Sequence, residues 1–121
     1  MTGRVLAIEL PFPPSVNRIW RTVAGRTLLS AEGRTYRRRV AVELMRPSVI
    51  RFGATPVTVA IAAWMPDRRR RDLDNLLKAA LDALTHAGCW DDDSQIEDLS
   101  IRRAGFAPDN PRLSVVVREV A

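Results

Sequence analysis

The side chains best suited to chemistry are aspartates, which stand in two groups on either side of one apolar segment. Asp72 and Asp74 precede the segment, and an unbroken run of aspartates at 91–93 follows it. In extended backbone, residues two apart point to the same side, so the first two carboxylates are expected to face one point. Converging carboxylates repel one another unless a cation lies between them. The pattern therefore indicates a site for Mg²⁺, a hard ion that prefers oxygen ligands.

A lysine accompanies the first acidic group. Lys78 is the only lysine of the chain and lies four residues after Asp74, about one helical turn away, so it reaches the same face. A bound Mg²⁺ can hold a phosphate oxygen, help to form the attacking hydroxide and stabilise the leaving oxygen. Lys78 is then expected either to hold the scissile phosphate or to stabilise the charge that develops on it.

The acidic pattern is weak by itself and becomes informative through its surroundings. Asp72 or Asp74 alone is equally well explained as a helix N-cap, and 91–93 as an acidic turn. A protein that only bound DNA would gain nothing from these aspartates, because they repel phosphate. They nevertheless follow a basic run directly, which consists of Arg68, Arg69, Arg70 and Arg71.

Composition limits the class of protein. The chain has 121 residues, of which 46% are hydrophobic, and this suits a single domain, 1–121, with a real core. Its net charge of +5 favours a polyanionic partner over the alternative of a merely solvated basic surface. Cys89 and His86 are the only residues of their types, which excludes zinc sites built from cysteine and histidine. No signal peptide or apolar stretch of membrane-spanning length is present, so we expect a cytoplasmic protein without membrane contact.

Periodicity predicts the elements that must position these residues. Strands are expected at 5–10, 56–64, 96–103 and 113–120, and helices from Ser30 to about 46 and over 73–87. Strand 56–64 is apolar at nearly every position, which is typical of a central strand covered on both sides. The resulting order, β-α-β-α-β-β, predicts an α/β (α+β) two-layer domain with two main helices on a mixed sheet.

The stretch 15–29 shows no clear period. It contains Asn17, Arg18 and Trp20, and we interpret it as a functional loop, because a loop of this length in a small domain is seldom idle. The helix after Ser30 carries arginines opposite its buried stripe, and these are explained equally well by solvation and by DNA contact.

Three separated segments resemble one known family. The run RRRRDLDNLLKAALDALTHAGCWDDDSQI resembles the core of the RusA-type crossover junction endodeoxyribonucleases, and LPFPPSVNRIWR and GRTLLSAEGRTYRRRV resemble the same family in the same order. The similarity extends from about residue 10 to residue 96. It implies a homodimeric, Mg²⁺-dependent enzyme of bacterial, phage or prophage origin, with Mn²⁺ as a possible substitute. Such enzymes bind branched DNA and resolve four-way (Holliday) junctions by paired symmetric nicks.

The resemblance also implies roles for individual residues. Asp72, Asp74 and Asp93 match the three essential, metal-binding aspartates, and Lys78 matches the functional lysine. Asp92 matches a second acid with a less certain role, whereas Asp91 falls where the family does not demand one. The residues expected to bind DNA are Asn17, Arg18, Arg68, Arg69, Arg70 and Arg71.

Three other functions would also account for part of this pattern. A non-catalytic, arginine-rich DNA-binding protein explains the charge, but the complete set of aspartates and Lys78 argues against it. A phosphotransferase needs a nucleophilic aspartate directly after an apolar strand, and here four arginines intervene. A small RNA-binding protein of ribosomal type explains the charge and leaves the acidic groups unexplained.

Overall fold

A computed structural model describes residues 3–120 as one four-stranded sheet with two long helices and a separate hairpin. The predicted α+β class and the order of the main elements are confirmed, and the structure adds one short helix and two short strands. None of the helices in this part of the chain has the length and apolar character needed to cross a membrane. The elements are β1 (Val5–Pro11), α1 (Val16–Ile19), β2 (Trp20–Val23), β3 (Arg26–Leu29), α2 (Ala31–Leu44), β4 (Val57–Met65), α3 (Leu73–His86), β5 (Ile96–Phe106) and β6 (Arg112–Glu119).

The sheet has the strand order β1-β6-β4-β5 and carries α2 and α3 on one face. Strands β1, β6 and β4 pair antiparallel, and only β4 and β5 pair parallel, so the predicted mixed sheet is confirmed. Along β4, Val57, Val59 and Ile61 are buried against the helices. The other face of β4 is only partly covered, and Ala60 is exposed. The expectation of a strand covered on both sides is therefore wrong, because alanine is small enough to lie on an open face without exposing much apolar surface.

The connection from β4 to β5 places its two ends far apart. Because β4 and β5 are parallel, the chain must return from the end of β4 to the opposite end of the sheet before β5 begins. Helix α3 makes that return. Its 14 residues span about 20 Å at the rise of an α-helix. Its N-terminus therefore lies at the edge where β4 ends, and the segment after its C-terminus lies at the edge where β5 begins.

The stretch 15–29 is ordered, so its interpretation as a loop is wrong. It forms α1 and an antiparallel β2–β3 hairpin, whose two-residue turn has positive φ at Ala24 (52°) and Gly25 (76°). Two consecutive residues of this conformation make the tight turn that matches the twist of hairpin strands. Every residue from 21 to 28 is exposed. Since neither face of the hairpin is buried, the sequence has no alternation of apolar and polar residues to reveal it.

Helix α2 begins as predicted and holds the base of the hairpin. The Ser30 hydroxyl accepts a hydrogen bond from the Gly33 amide (3.0 Å), which confirms Ser30 as the N-cap. The predicted face of Tyr36, Val40 and Leu44 is buried. Gly33 is also buried, and a Cβ added there would lie 2.7 Å from both the Ile19 carbonyl oxygen and a Leu29 methyl group. Ile19 and Leu29, at the base of the hairpin, therefore pack so closely against Gly33 that no other residue fits at that position.

Replacing Gly33 by alanine is expected to lower the free energy of unfolding by about 1 kcal/mol. Alanine favours a helix over glycine by up to about 1 kcal/mol, but overpacking against backbone costs about 1–3 kcal/mol. Urea denaturation measures the difference, with Thr35→Ala as the control at an exposed position of the same helix. A stabilised Gly33→Ala protein would show that the base of the hairpin is not held against α2.

Candidate active site

The first acidic group lies at the N-terminus of α3. Asp72 occupies the N-cap position with extended backbone, yet its side chain makes no capping hydrogen bond. Asp74 lies in the first turn, and both aspartates are exposed. Within residues 3–120, neither carboxylate takes part in a hydrogen bond or an ion pair. The capping explanation of Asp72 is therefore not realised, and both carboxylates are available to a ligand.

Asp72 and Asp74 line two neighbouring cavities at the end of α3. Asp74 and Lys78 line a groove of about 580 Å³ along α3, whereas Asp72 lines a neighbouring cavity of about 320 Å³ with Arg70 and Arg71. The expectation of parallel side chains assumed extended backbone through 72–74, but the helix begins at Leu73. Residues two apart in a helix do not share a face, so the argument from extended backbone does not apply to this pair.

The second acidic group lies at the opposite end of α3. Asp92 is structural here, because its carboxylate accepts a hydrogen bond from the Ser94 amide (3.0 Å) and caps a 3₁₀ turn at Asp93–Gln95. Hydrogen bonding from the Ser94 side chain, and then from the Ser94 amide, lowers the pKa of Asp92. The Gln95 side chain completes the cap by accepting from the Asp91 and Asp92 amides. Asp93 is exposed and lines the far part of the groove along α3, with His86.

One protomer therefore does not bring the three predicted metal ligands together. Asp93 lies about a helix length from Asp72 and Asp74, roughly 20 Å for a 14-residue helix. In the part of the chain that the structure describes, no three His, Cys, Asp or Glu side chains lie close enough to hold one metal ion. The second acidic group does not return to the end of the sheet that carries Asp72, because β4 and β5 are parallel and α3 runs the length of the sheet between them.

The groove along α3 places an indole ring beside the lysine. The Lys78 ammonium lies 5.7 Å from the centre of the Trp20 ring, within the range of a cation–π contact. Farther along, Arg37 and Asp82 form a bidentate ion pair with two hydrogen bonds of 3.0 Å. Trp20 was predicted only as a member of the functional loop and not as a site residue. The one signal for it in the sequence is a large ring between Arg18 and Arg21, in a stretch with no helical or strand period.

The four consecutive arginines are not equivalent. Arg71 donates two hydrogen bonds to the Asp67 carboxylate and lies 5.5 Å from the Phe12 ring. The Asp67 carboxylate also accepts from the Arg69 amide (2.9 Å). Hydrogen bonds from Arg71 and from the Arg69 backbone lower the pKa of Asp67 to about 2. Asp67 thus offsets much of the Arg71 charge.

The other three arginines keep their charge available. Arg69 and Arg70 are exposed, and within residues 3–120 their guanidinium groups make no hydrogen bond, ion pair or ring contact. The Arg68 guanidinium lies 4.3 Å from the centre of the Phe106 ring. Together they form a positive surface next to Asp72, at the end of the sheet where β4 ends.

The predicted N-terminal pair lies in α1. Asn17 and Arg18 are both exposed, and α1 packs against both α2 and α3. The Arg18 carbonyl accepts a hydrogen bond from the Ser30 hydroxyl, so the N-cap of α2 also ties down α1. The structure thus positions this pair on an ordered element beside the helix that carries Asp74 and Lys78.

Three known proteins that are similar to this chain carry the same name. Residues 11–118 match the family described as endodeoxyribonuclease RusA. The crossover junction endodeoxyribonuclease RusA of Escherichia coli (strain K12) is 53% identical over 96 residues, which cover 78% of this chain and 79% of that protein. The enzyme of the same name from Enterobacteria phage 82 is 54% identical over 95 residues, covering 78% of each chain. That of Shigella sonnei (strain Ss046) is 52% identical over 96 residues, covering 78% of this chain and 79% of its own.

The Asp67–Arg71 pair makes a testable prediction about titration. In the folded protein the Asp67 carboxyl should titrate near pH 2 by carbon-detected NMR, and Arg71→Gln should move its midpoint toward 3.8. Because the pKa is lower in the folded state, the pair stabilises the fold above about pH 4, and this contribution is lost as the pH falls toward 2. Arg70→Gln, which removes a neighbouring charge that does not contact Asp67, is the control. An equal shift in both variants would assign the effect to general charge.

Proposed function

This chain belongs to the RusA family of endodeoxyribonucleases, and we propose that it resolves four-way DNA junctions by paired, symmetric, Mg²⁺-dependent nicks. It is an endodeoxyribonuclease, and its relatives bear the name crossover junction endodeoxyribonuclease. The observation that carries the proposal is the end of α3, where two carboxylates that make no hydrogen bond within the described residues stand beside Lys78, Arg69 and Arg70. Because the relatives come from bacteria and a phage, we propose that it acts on bacterial or phage DNA in the cytoplasm.

Asp72, Asp74 and Asp93 are the residues that we propose to hold the metal. Each is exposed and, within residues 3–120, none is engaged by a hydrogen bond through its carboxylate. A donor set made only of carboxylate oxygens fits Mg²⁺, and Mn²⁺ as a substitute, better than softer metals. When bound, the ion supplies Lewis-acid stabilisation of the phosphate and an activated water. Asp92 is left out, because its carboxylate caps the turn.

We propose that the metal site is completed between two subunits. One protomer separates Asp93 from Asp72 and Asp74 by the length of α3, which is too far for one ion. In a two-fold homodimer, any contact made between opposite ends of α3 occurs twice. A dimer that places Asp93 of the partner subunit beside Asp72 and Asp74 therefore has two identical sites. Two sites related by a two-fold axis also match the approximate two-fold symmetry of a four-way junction.

Lys78 is the proposed electrostatic catalyst. It lies one turn after Asp74 in the same groove, and the Trp20 ring stands beside its ammonium group. Such a contact limits the number of positions that the flexible side chain takes up. A positive charge held near the scissile phosphate gains most when negative charge builds up there in the transition state. Lys78 is thus expected to act more on the rate of cleavage than on DNA affinity.

The surface that we propose to bind the arms of the junction is basic. Arg69 and Arg70 have no partner within the described residues and are free to contact phosphate. Arg71 contributes less, since Asp67 already binds it. Asn17 and Arg18 add an exposed amide and a guanidinium on the other side of α3. Each phosphate contact releases counterions, so affinity should fall steeply with salt.

The overall proposal predicts structure-selective cleavage. A synthetic four-way junction with labelled strands should be cut into nicked duplexes in the presence of Mg²⁺, and chelation of the metal should stop cutting without releasing the DNA. A linear duplex of the same sequence is the control substrate. Equal cutting of both substrates would leave a nuclease without junction specificity, and cutting in the presence of chelator would remove the metal from the proposal.

The shared site predicts that two inactive variants restore each other. Asp74→Asn and Asp93→Asn should each abolish cleavage alone. In a heterodimer of the two variants, one site carries both substitutions and the other carries neither. About half of the dimers in an equal mixture are heterodimers, and each has one intact site, so the mixture should recover roughly a quarter of wild-type nicking. The recovered activity should nick one strand and fail to resolve the junction.

A matched mixture controls this experiment. Asp72→Asn and Asp74→Asn change residues at the same end of α3, so every site in their heterodimer keeps one defect and nicking should stay absent. Sedimentation with and without DNA checks that mixed dimers form. If both mixtures remain inactive although the subunits exchange, each site is built within one protomer.

A further inference from the structure

An exposed phenylalanine lies among the arginines at the end of β5. Phe106 is the last residue of that strand and is 49% exposed, whereas Met65, its partner on β4, is buried. The Arg68 guanidinium covers it at 4.3 Å from the ring centre. Arg68 makes no hydrogen bond or ion pair within residues 3–120, so the ring is its one specific contact there. A ring and a planar cation are thus held together at the surface.

The position of Phe106 relates it to the proposed site. Phe106 pairs with Met65, the last residue of β4, and the chain then leads from Met65 through the arginine run to Asp72. A shallow cavity of about 210 Å³ lies between the two strand ends, lined by Phe106, Arg68, Arg69 and Arg103 among others. Phe106 therefore lies at the same end of the sheet as Asp72, and on the opposite side of the arginine run.

Charge decides which kind of partner fits this surface. The arginines around Phe106 face one acidic residue, Asp67, whose carboxylate is already bound by Arg71. An apolar protein surface would leave these cations without compensation, at a desolvation cost. A nucleobase offers a flat π surface for the ring and the guanidinium, and its own phosphate offers the anion. Paired bases inside a duplex are covered by their neighbours, so only an unpaired base is available.

We propose that Phe106 and Arg68 form a stacking surface for an unpaired nucleobase at the branch point of the junction, beside the phosphate that is cut. The inference rests on the proposed function and adds a contact by which a branched substrate is distinguished from a linear one. Opening the branch point costs base stacking, and stacking on the protein returns part of that cost. The contact does not depend on sequence, because every base has a π face.

The test removes either side of the contact and measures affinity without cutting. Ca²⁺ replaces Mg²⁺, and the dissociation constant is measured for a four-way junction, for junctions with an abasic residue at each branch-point position in turn, and for a linear duplex. Phe106→Ala should lose about tenfold in affinity for the intact junction and little for the duplex. One abasic position should weaken wild-type binding by a similar factor, and Phe106→Ala should not distinguish that junction from the intact one.

Two further variants keep the result interpretable. Phe106→Tyr retains a ring and should restore affinity. Leu99→Ala changes a half-exposed apolar residue of the same strand, 37% exposed, and should bind like the wild type. Thermal unfolding of each variant confirms that the fold is intact.

The possible outcomes separate the two proposals. If wild type and Phe106→Ala respond equally to every abasic position, no base stacks on Phe106, although junction resolution itself still stands. An equal loss of affinity for junction and duplex, or a change in subunit association on sedimentation, likewise overturns the inference and assigns Phe106 to phosphate binding or to a subunit contact. A wild-type protein that prefers neither substrate overturns the proposed function together with the inference.

Discussion

The parallel pairing of β4 with β5 is the constraint on which the arrangement of the site depends. Two parallel neighbours require a crossover, and here the crossover is α3. The helix packs its apolar side against the sheet and turns its groove-lining side outward, so the groove carries Asp74 at one end and Asp93 at the other. The same 14 residues that complete the core therefore divide the acidic residues into two distant groups. A shared metal site follows from this topology only if a second copy supplies the missing group.

The distribution of ion pairs separates structural charges from available ones. Arg37 and Asp82 join α2 to α3, and Asp67 holds Arg71 in the segment before α3. These pairs are partly exposed, so each contributes little to stability, but each keeps a side chain in place. By contrast, Asp72 and Asp74 are left without partners in the described part of the chain, in a protein with an excess of arginine. The rigid end of α3 holds these two carboxylates away from the neighbouring arginines. Both therefore remain available to a positively charged ligand such as a metal ion.

The two aromatic contacts near the site illustrate a second use of arginine and lysine. Trp20 stands beside Lys78 and Phe106 lies under Arg68, and both cations lack a carboxylate partner within residues 3–120. A ring orients a cation without neutralising its charge, whereas a carboxylate would do both. Cations held in this way remain able to attract phosphate. One contact lies in the groove of α3 and the other lies at the end of β5.

The sequence by itself determined the main helices and strands and the N-cap at Ser30, and it supplied the candidate residues of the site. These features depend on local periodicity, on capping chemistry and on motif order, which are written along the chain. It did not reveal the hairpin of β2 and β3, because neither face of that hairpin is buried. The placement of Asp72 and Asp74 in neighbouring cavities depended on the first residue of α3, and the distance to Asp93 depended on the parallel pairing of β4 with β5. Strand order and helix starts are decided by long-range packing of the whole core, so only the tertiary structure could separate residues that the sequence placed in one motif.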